Sequence, residues 1–224
     1  MGFFFGAPFS WPKEESDGWT LCIDLPLSTN GDLQDRVSGR SITLAGDSSK
    51  QLSWNSTYSG YNVPNAGTNT NTTAYNTTEG SSYYNILSGL SLPTFTSSGK
   101  IKYEFDALRI NASQNGGQSR RTTPFGFVDA SSKRVLSYIL IRAVYPYNNE
   151  TLLPTLLTWH HVKTEYDYSA GIVDRYVNDT LQVSVSCSFP TNGIDNSVFI
   201  LAPKPWSADS ETVVLKNLKI YYKE

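Results

Sequence analysis

The stretch "TWHHVKTEYDYSAGIVDRYVNDTLQVSVSC" (158–187) holds both histidines of the chain, within three alternating runs separated by turn signals. Side chains on a strand alternate between its two faces. Trp159, His161 and Lys163 therefore fall on one face, and His160, Val162 and Thr164 on the other. Neighbouring histidines that point to opposite faces cannot ligate one metal or form one acid–base pair. "DYSAG" (167–171) ends in a glycine, where positive φ is cheap, and reads as a turn. Asn178-Asp179 reads as a two-residue type I′ turn, because Asn and Asp tolerate the left-handed region this turn requires. The stretch is expected to be a three-stranded meander with structural histidines that no activity needs.

Working outward, the same period of two recurs along the chain. "WTLCIDLPL" (19–27), "SITLAG" (41–46), "QLSWN" (51–55), "PFGFVDA" (124–130), "RVLSYILIRAVYP" (134–146), "NSVFILAP" (196–203) and "ETVVLKNLKIYYK" (211–223) all read as strands. "KIKYEFDALRIN" (100–111) is the cleanest: Ile101, Tyr103, Phe105 and Ala107 point one way, Lys102, Glu104 and Asp106 the other. Residues 62–82 are too polar to pack a core and read as a surface loop. No segment reads as a helix. The expected fold is an all-β, two-sheet antiparallel sandwich over residues 17–224, preceded by an extended arm over residues 1–16.

Composition narrows the function. Only 17% of residues are charged and the net charge is −2, so nothing here draws nucleic acid or anionic lipid electrostatically. No signal peptide is visible in "MGFFFGAPFSWPKEE", and no apolar run is long enough to span a membrane. Cys22 and Cys187 lie far apart in sequence without metal-ligand spacing, which leaves a disulfide and two buried thiols as alternatives. Six N-x-S/T sequons, at Asn55, Asn71, Asn76, Asn111, Asn149 and Asn178, are read as chance products of a chain rich in Asn, Ser and Thr.

A Trp-His-His-Val strand, a Tyr-Asp hairpin, a strand ending Tyr-Val-Asn and a following Thr-Leu resemble the laminin-G-like, or concanavalin-A-like, lectin/glucanase superfamily. "LPLSTNGDLQDRVSGRSITLAG" (25–46) resembles that superfamily's opening, and "VVLKNLKIYY" (213–222) its closing strand, which pairs beside the first. The resemblance implies a jelly-roll domain from about Asp17 to Tyr222. This fold hosts enzymes, lectins and scaffolds alike, so it does not choose among them.

Glycoside hydrolases of the superfamily carry Glu-x-Asp-x-x-Glu or Glu-x-Asp-x-Glu on a strand. Here Glu104 and Asp106 keep the register, but Leu108 and Arg109 stand where the last acid belongs. A missing general acid removes about 10²–10⁴-fold of rate, so the chain is expected not to be an enzyme. No cofactor is expected. Calcium stays open, since relatives hold it with loop Asp and Asn; Asp32, Asp35, Asp195 and Asn196 are of that type, without metal-loop spacing, and no site is assigned.

Sugars bind by stacking on aromatic rings, and Trp54, Tyr58, Tyr61, Tyr145, Tyr147 and Trp206 fall in expected loops or at strand ends. Each also fits a role in capping the core. In the arm, Phe3, Phe4, Phe5, Phe9 and Trp11 are too apolar to leave in water and are expected to dock on other virion proteins or a symmetry mate. A lone module of this kind resembles the concanavalin-A-like proteins of bacteriophage and other virus particles. The expected role is a non-enzymatic virion structural or surface protein, a capsid decoration or a fibre or adhesion component, with adhesion to host glycans as a second duty it could add. The alternative is a lectin module or glycoside hydrolase of bacterial origin.

Overall fold

A computed structural model describes residues 17–42, 44–45, 52–62, 83–84, 99–110, 122–129, 135–142, 150–152, 155–186, 197–199 and 213–224. The arm, Cys187, Asp195, Asn196 and most of the expected 62–82 loop lie outside them. The strands are β1 (Thr20–Leu25), β2 (Leu44–Ala45), β3 (Ser53–Asn55), β4 (Gly60–Asn62), β5 (Tyr83–Tyr84), β6 (Lys100–Arg109) and β7 (Thr122–Asp129). They continue with β8 (Val135–Arg142), β9 (Glu150–Leu152), β10 (Trp159–Asp167), β11 (Ile172–Val177), β12 (Thr180–Ser186), β13 (Ser197–Phe199) and β14 (Val213–Lys223). β4, β5 and β9 had no clear signal in the sequence. At two or three residues each, they are too short to establish a period.

Among the described residues, one sheet runs β12-β11-β10-β6-β14-β4-β3, with β1 also paired to β14. A second runs β13-β7-β8-β9, and β2 pairs with β5. Pairing is antiparallel except for β8 with β9, which is parallel. The last strand organises the large sheet. One edge of β14 pairs with β6; the other pairs first with β4, through Val214 and Leu215, and then with β1, from Leu218 to Tyr222. Between the two partners Asn217 takes φ 55° and its N–H donates to the Pro26 carbonyl at 2.7 Å. This bulge lets a single strand edge serve two strands, since an extra residue bends and twists the strand locally.

The meander β10-β11-β12 forms as the sequence requires. Asn178 and Asp179 both have positive φ, 48° and 61°, as a type I′ turn needs. In the other turn, the Asp167 carboxylate accepts from the Ser169 hydroxyl at 2.6 Å and the Ala170 N–H at 2.9 Å, and Gly171 takes φ 64°.

Alternation then places the core. Ile101, Tyr103, Phe105 and Ala107 of β6 share the inner face with Val162, Tyr166, Val173, Val177, Leu215, Leu218, Ile220, Ile23 and Leu25, all buried. Full burial of such a side chain contributes about 1.5–3 kcal/mol. Polar groups on this face include Tyr103 and Tyr166, whose hydroxyls lie 3.1 Å apart, with Thr164, His160, Arg109 and Arg175. Cys22 is a free thiol in the core; its Sγ donates to the Ile220 carbonyl at 3.0 Å, and burial lifts its pKa to about 12. The disulfide alternative therefore falls away for Cys22.

The loop from β1 toward β2 is built on Asp35. Its carboxylate accepts from the N–H groups of Asp24 (2.8 Å), Val37 (3.1 Å) and Ser38 (2.9 Å), and from the Ser38 hydroxyl. The Gly39 N–H closes the turn on the Asp35 carbonyl at 2.8 Å, with Gly39 at φ 70°.

Candidate functional site: a charged stripe on the outer sheet face

The face of the large sheet opposite the core carries the remaining half of each alternating pattern. Register sets Glu165 beside Lys102, Lys163 beside Glu104, and His161 beside Asp106 across β10 and β6. Lys219 stands beside Glu104 and Lys216 beside Asp106 across β6 and β14, and Asp24 beside Lys219 across β1 and β14. Opposite charges alternate across the strands, and each such cross-strand pair contributes about 0.2–1 kcal/mol.

His161 is the centre of the stripe. Its Nδ1 lies 3.1 Å from Asp106 Oδ1 and its Nε2 3.8 Å from Glu104 Oε2. The Asn217 amide donates to Asp106 Oδ2 at 2.7 Å, and the Tyr221 hydroxyl to Glu104 Oε1 at 2.8 Å. The hydrogen-bonded Asp106, followed by the nearby Glu104 carboxylate, raises the His161 pKa to about 9. Burial works against ionising either carboxylate, but the His161 contacts, joined by Tyr221 at Glu104 and Asn217 at Asp106, outweigh it and hold both pKa values below the ordinary range. At neutral pH the centre is thus an imidazolium between two carboxylates.

Aromatic rings border this centre and cations cover them. Lys216 Nζ lies 4.0 Å from the Trp159 ring centroid, Lys163 Nζ 4.2 Å from that of Tyr176, and Lys102 Nζ 4.1 Å from that of Tyr221. Trp159 reaches across the sheet because Gly60 has no side chain. A Cβ there would stand 3.2 Å from Trp159 Cη2, 2.7 Å from Val214 Cγ1 and 2.8 Å from the Leu215 carbonyl oxygen.

The two histidines do face opposite ways: His160 is buried on the inner face and His161 half-exposed on the outer one. Both are tied to Asn178. Its side-chain oxygen accepts the His161 N–H at 3.0 Å, its amide lies 3.2 Å from His160 Nδ1, and its own N–H donates to the His161 carbonyl at 2.8 Å. Of the residues picked as stacking platforms, Tyr61 is 3% exposed and sits in the core, with its hydroxyl on the Thr29 carbonyl, so it offers no ring face. Trp54 packs edge-on against it, ring centroids 5.4 Å apart, and Tyr58 is half-buried in the β3–β4 turn. Tyr145, Tyr147 and Trp206 lie outside the described residues, as do Phe3, Phe4, Phe5, Phe9 and Trp11.

Sequence reading placed Glu104 and Asp106 on one strand face, and they are there. It did not find Tyr221, Asn217 and Lys216 beside them, because those residues are more than 100 positions away and arrive through the bulge in β14. The only local sign of that bulge is spacing: Lys216 and Lys219 are three apart yet share a face. Leu108 lies on the same face but is buried, and Arg109 is buried too, so neither of these positions adds an acid to the pair. Among the described residues no group of three or more His, Cys, Asp or Glu is arranged to hold a metal ion. Asp32 pairs with Arg36, and Asp35 spends both oxygens on its own loop and on β1.

Replacing His161 by Gln gives a pH-dependent loss of stability. A raised histidine pKa stabilises fully below the free value of 6.5 and ceases to do so as pH rises through about 9. The gap in melting temperature between wild type and His161→Gln should be wide at pH 6 and close by pH 10. A gap that stays constant over that range would show that ion pairing is not what His161 contributes.

No family model and no curated protein matches the sequence. Solved structures do match the fold. A botulinum neurotoxin serotype G binding domain is 13% identical with a TM-score of 0.54, covering 90% of this chain and 47% of that one. A Trypanosoma rangeli sialidase is 12% identical with a TM-score of 0.54, covering 93% and 31%. The alginate lyase AlyC3 is 7% identical with a TM-score of 0.50, covering 77% and 78%. The chain thus spans about half of the toxin domain and a third of the sialidase. At these identities the likeness shows the fold, a jelly-roll sandwich as expected from the sequence.

Proposed function

We propose that this chain is a non-enzymatic recognition module that binds glycans through the outer face of its large sheet and is carried on a virion surface. The observation that carries the first part is the state of the stripe. Glu104 and Asp106 are both held ionised by His161, so neither keeps the proton that a glycosidic leaving group needs. What the face offers instead is a half-exposed indole beside fixed hydrogen-bonding groups, which suits binding without turnover.

The structural neighbours support a glycan reading in kind. One solved toxin domain of this fold holds N-acetylneuraminic acid, and others are a sialidase and an alginate lyase. Trp54, Tyr58, Tyr145, Tyr147 and Trp206 remain candidates for further stacking contacts. The virion location rests on the resemblance to lone modules of virus particles and on the apolar residues of the arm.

A glycan array followed by a reducing-sugar assay on the bound glycans tests the function. Retention of a glycan family without release of reducing sugar is expected. Release that disappears in Glu104→Gln would overturn the non-enzymatic reading. Immunogold labelling of purified particles tests the location, and unlabelled particles would refute it.

A further inference from the structure

Three chemistries meet in one patch of the outer face. Trp159 supplies a half-exposed ring, and Lys216 Nζ covers it at 4.0 Å. Next to them, Asp106 and Glu104 present carboxylates anchored by Asn217, Tyr221 and His161. Lys216 is the neighbour of Asp106 in the β14–β6 register, and Trp159 is two residues from His161 on the same face of β10. The patch is therefore continuous over three adjacent strands.

Each group wants a different part of a ligand. The indole face takes the apolar C–H face of a pyranose ring. The carboxylates take hydroxyl donors. The ammonium of Lys216 must leave the indole when a sugar stacks there, and it then needs an anion at the edge of that ring. A neutral sugar would strip Lys216 of its ring contact and return nothing. A ligand that is only anionic would meet Asp106 and Glu104 and use neither as an acceptor. We propose that the Trp159–Lys216 patch is a binding site for saccharides that carry a carboxylate, with the ring on Trp159, the carboxylate on Lys216 and the hydroxyls on Asp106 and Glu104. This rests on the glycan-binding reading above and specifies the class of sugar.

Lysine, unlike arginine, suits this role because its single ammonium on a flexible stem can swing from the ring face to its edge. Gly60 matters as well, since a Cβ there would press on the edge of the indole, 3.2 Å from Trp159 Cη2.

The test is titration calorimetry with matched pairs: sialyllactose against lactose, and a uronic-acid trisaccharide against its carboxyl-reduced form. At least one acidic member should bind ten-fold or more tighter than its neutral partner. Lys216→Gln should erase that preference while leaving weak, equal binding to both members. Trp159→Ala should abolish binding, and Trp159→Phe, which keeps a ring should the alanine variant fail to fold, should retain part of it. Equal binding of acidic and neutral members to the wild type would overturn the carboxylate assignment while leaving glycan binding intact. Acid-selective binding that survives both Trp159→Ala and Lys216→Gln would place the site elsewhere and overturn this one. No binding to any saccharide, here and on the array, would remove both readings.

Discussion

Asp35→Ala is expected to cost the domain about 3–5 kcal/mol. Asp35 is only 2% exposed, yet three backbone N–H groups and the Ser38 hydroxyl converge on its carboxylate. Alanine leaves those part-buried donors without their acceptor, and each one left unmade costs about 1 kcal/mol or somewhat more. The loss is not confined to the loop, because one of the donors is Asp24 in β1, and β1 is held to the sheet by β14. Asp35→Asn should lose less, since one oxygen survives while the new amide opposes the donors of Ser38. Urea denaturation is the measurement: the midpoint should fall with an unchanged slope. A loss below about 1 kcal/mol for the alanine variant would mean that the loop is held by its backbone turn alone.

Asn178→Ala should cost about 2–4 kcal/mol through two separable causes. The first is conformational. Asn178 has φ 48°, where an alanine Cβ costs about 1–2 kcal/mol. The second is the loss of both side-chain contacts, to the N–H of His161 and to the ring of His160. Asn178→Gly suffers only the second cause, because glycine accepts the left-handed region freely. The difference between the two variants in urea therefore measures the backbone part. If Ala and Gly were equally damaging, the turn would not be selecting for conformation. If Gly were neutral, the amide would hold neither histidine. Glycosylation of the sequon at Asn178 is also disfavoured, since the nitrogen to be modified faces a buried ring.

The period of two, read directly, puts Glu104 and Asp106 on one face of their strand and sends His160 and His161 to opposite faces of theirs, because strand geometry leaves side chains no other choice. The Asn178-Asp179 turn is equally local: two residues that tolerate positive φ, at the spacing a hairpin needs. These features were legible because their causes act within a few residues. The resemblance carried the pairing of the first and last strands, and the solved structures of this fold agree with the architecture it implied.

What surrounds those residues was settled by contacts that no local pattern encodes. Tyr61 reads as a loop aromatic at the end of a polar turn, but its strand pairs with β14 and draws the ring into the core. Cys22 finds the Ile220 carbonyl instead of a second sulfur, through the same closing strand. Above all, the bulge at Asn217 brings Lys216, Asn217 and Tyr221 to Asp106 and Glu104. A carboxylate pair that suggests hydrolysis when read alone becomes an ion-paired, hydrogen-bonded pair once β10 and the last strand are laid on either side of it. Sequence determined which side chains face outward, since alternation is a property of the backbone. Only the tertiary structure decided their charge state and their neighbours, because both depend on groups that folding brings within a few ångströms from 55 to 117 residues away.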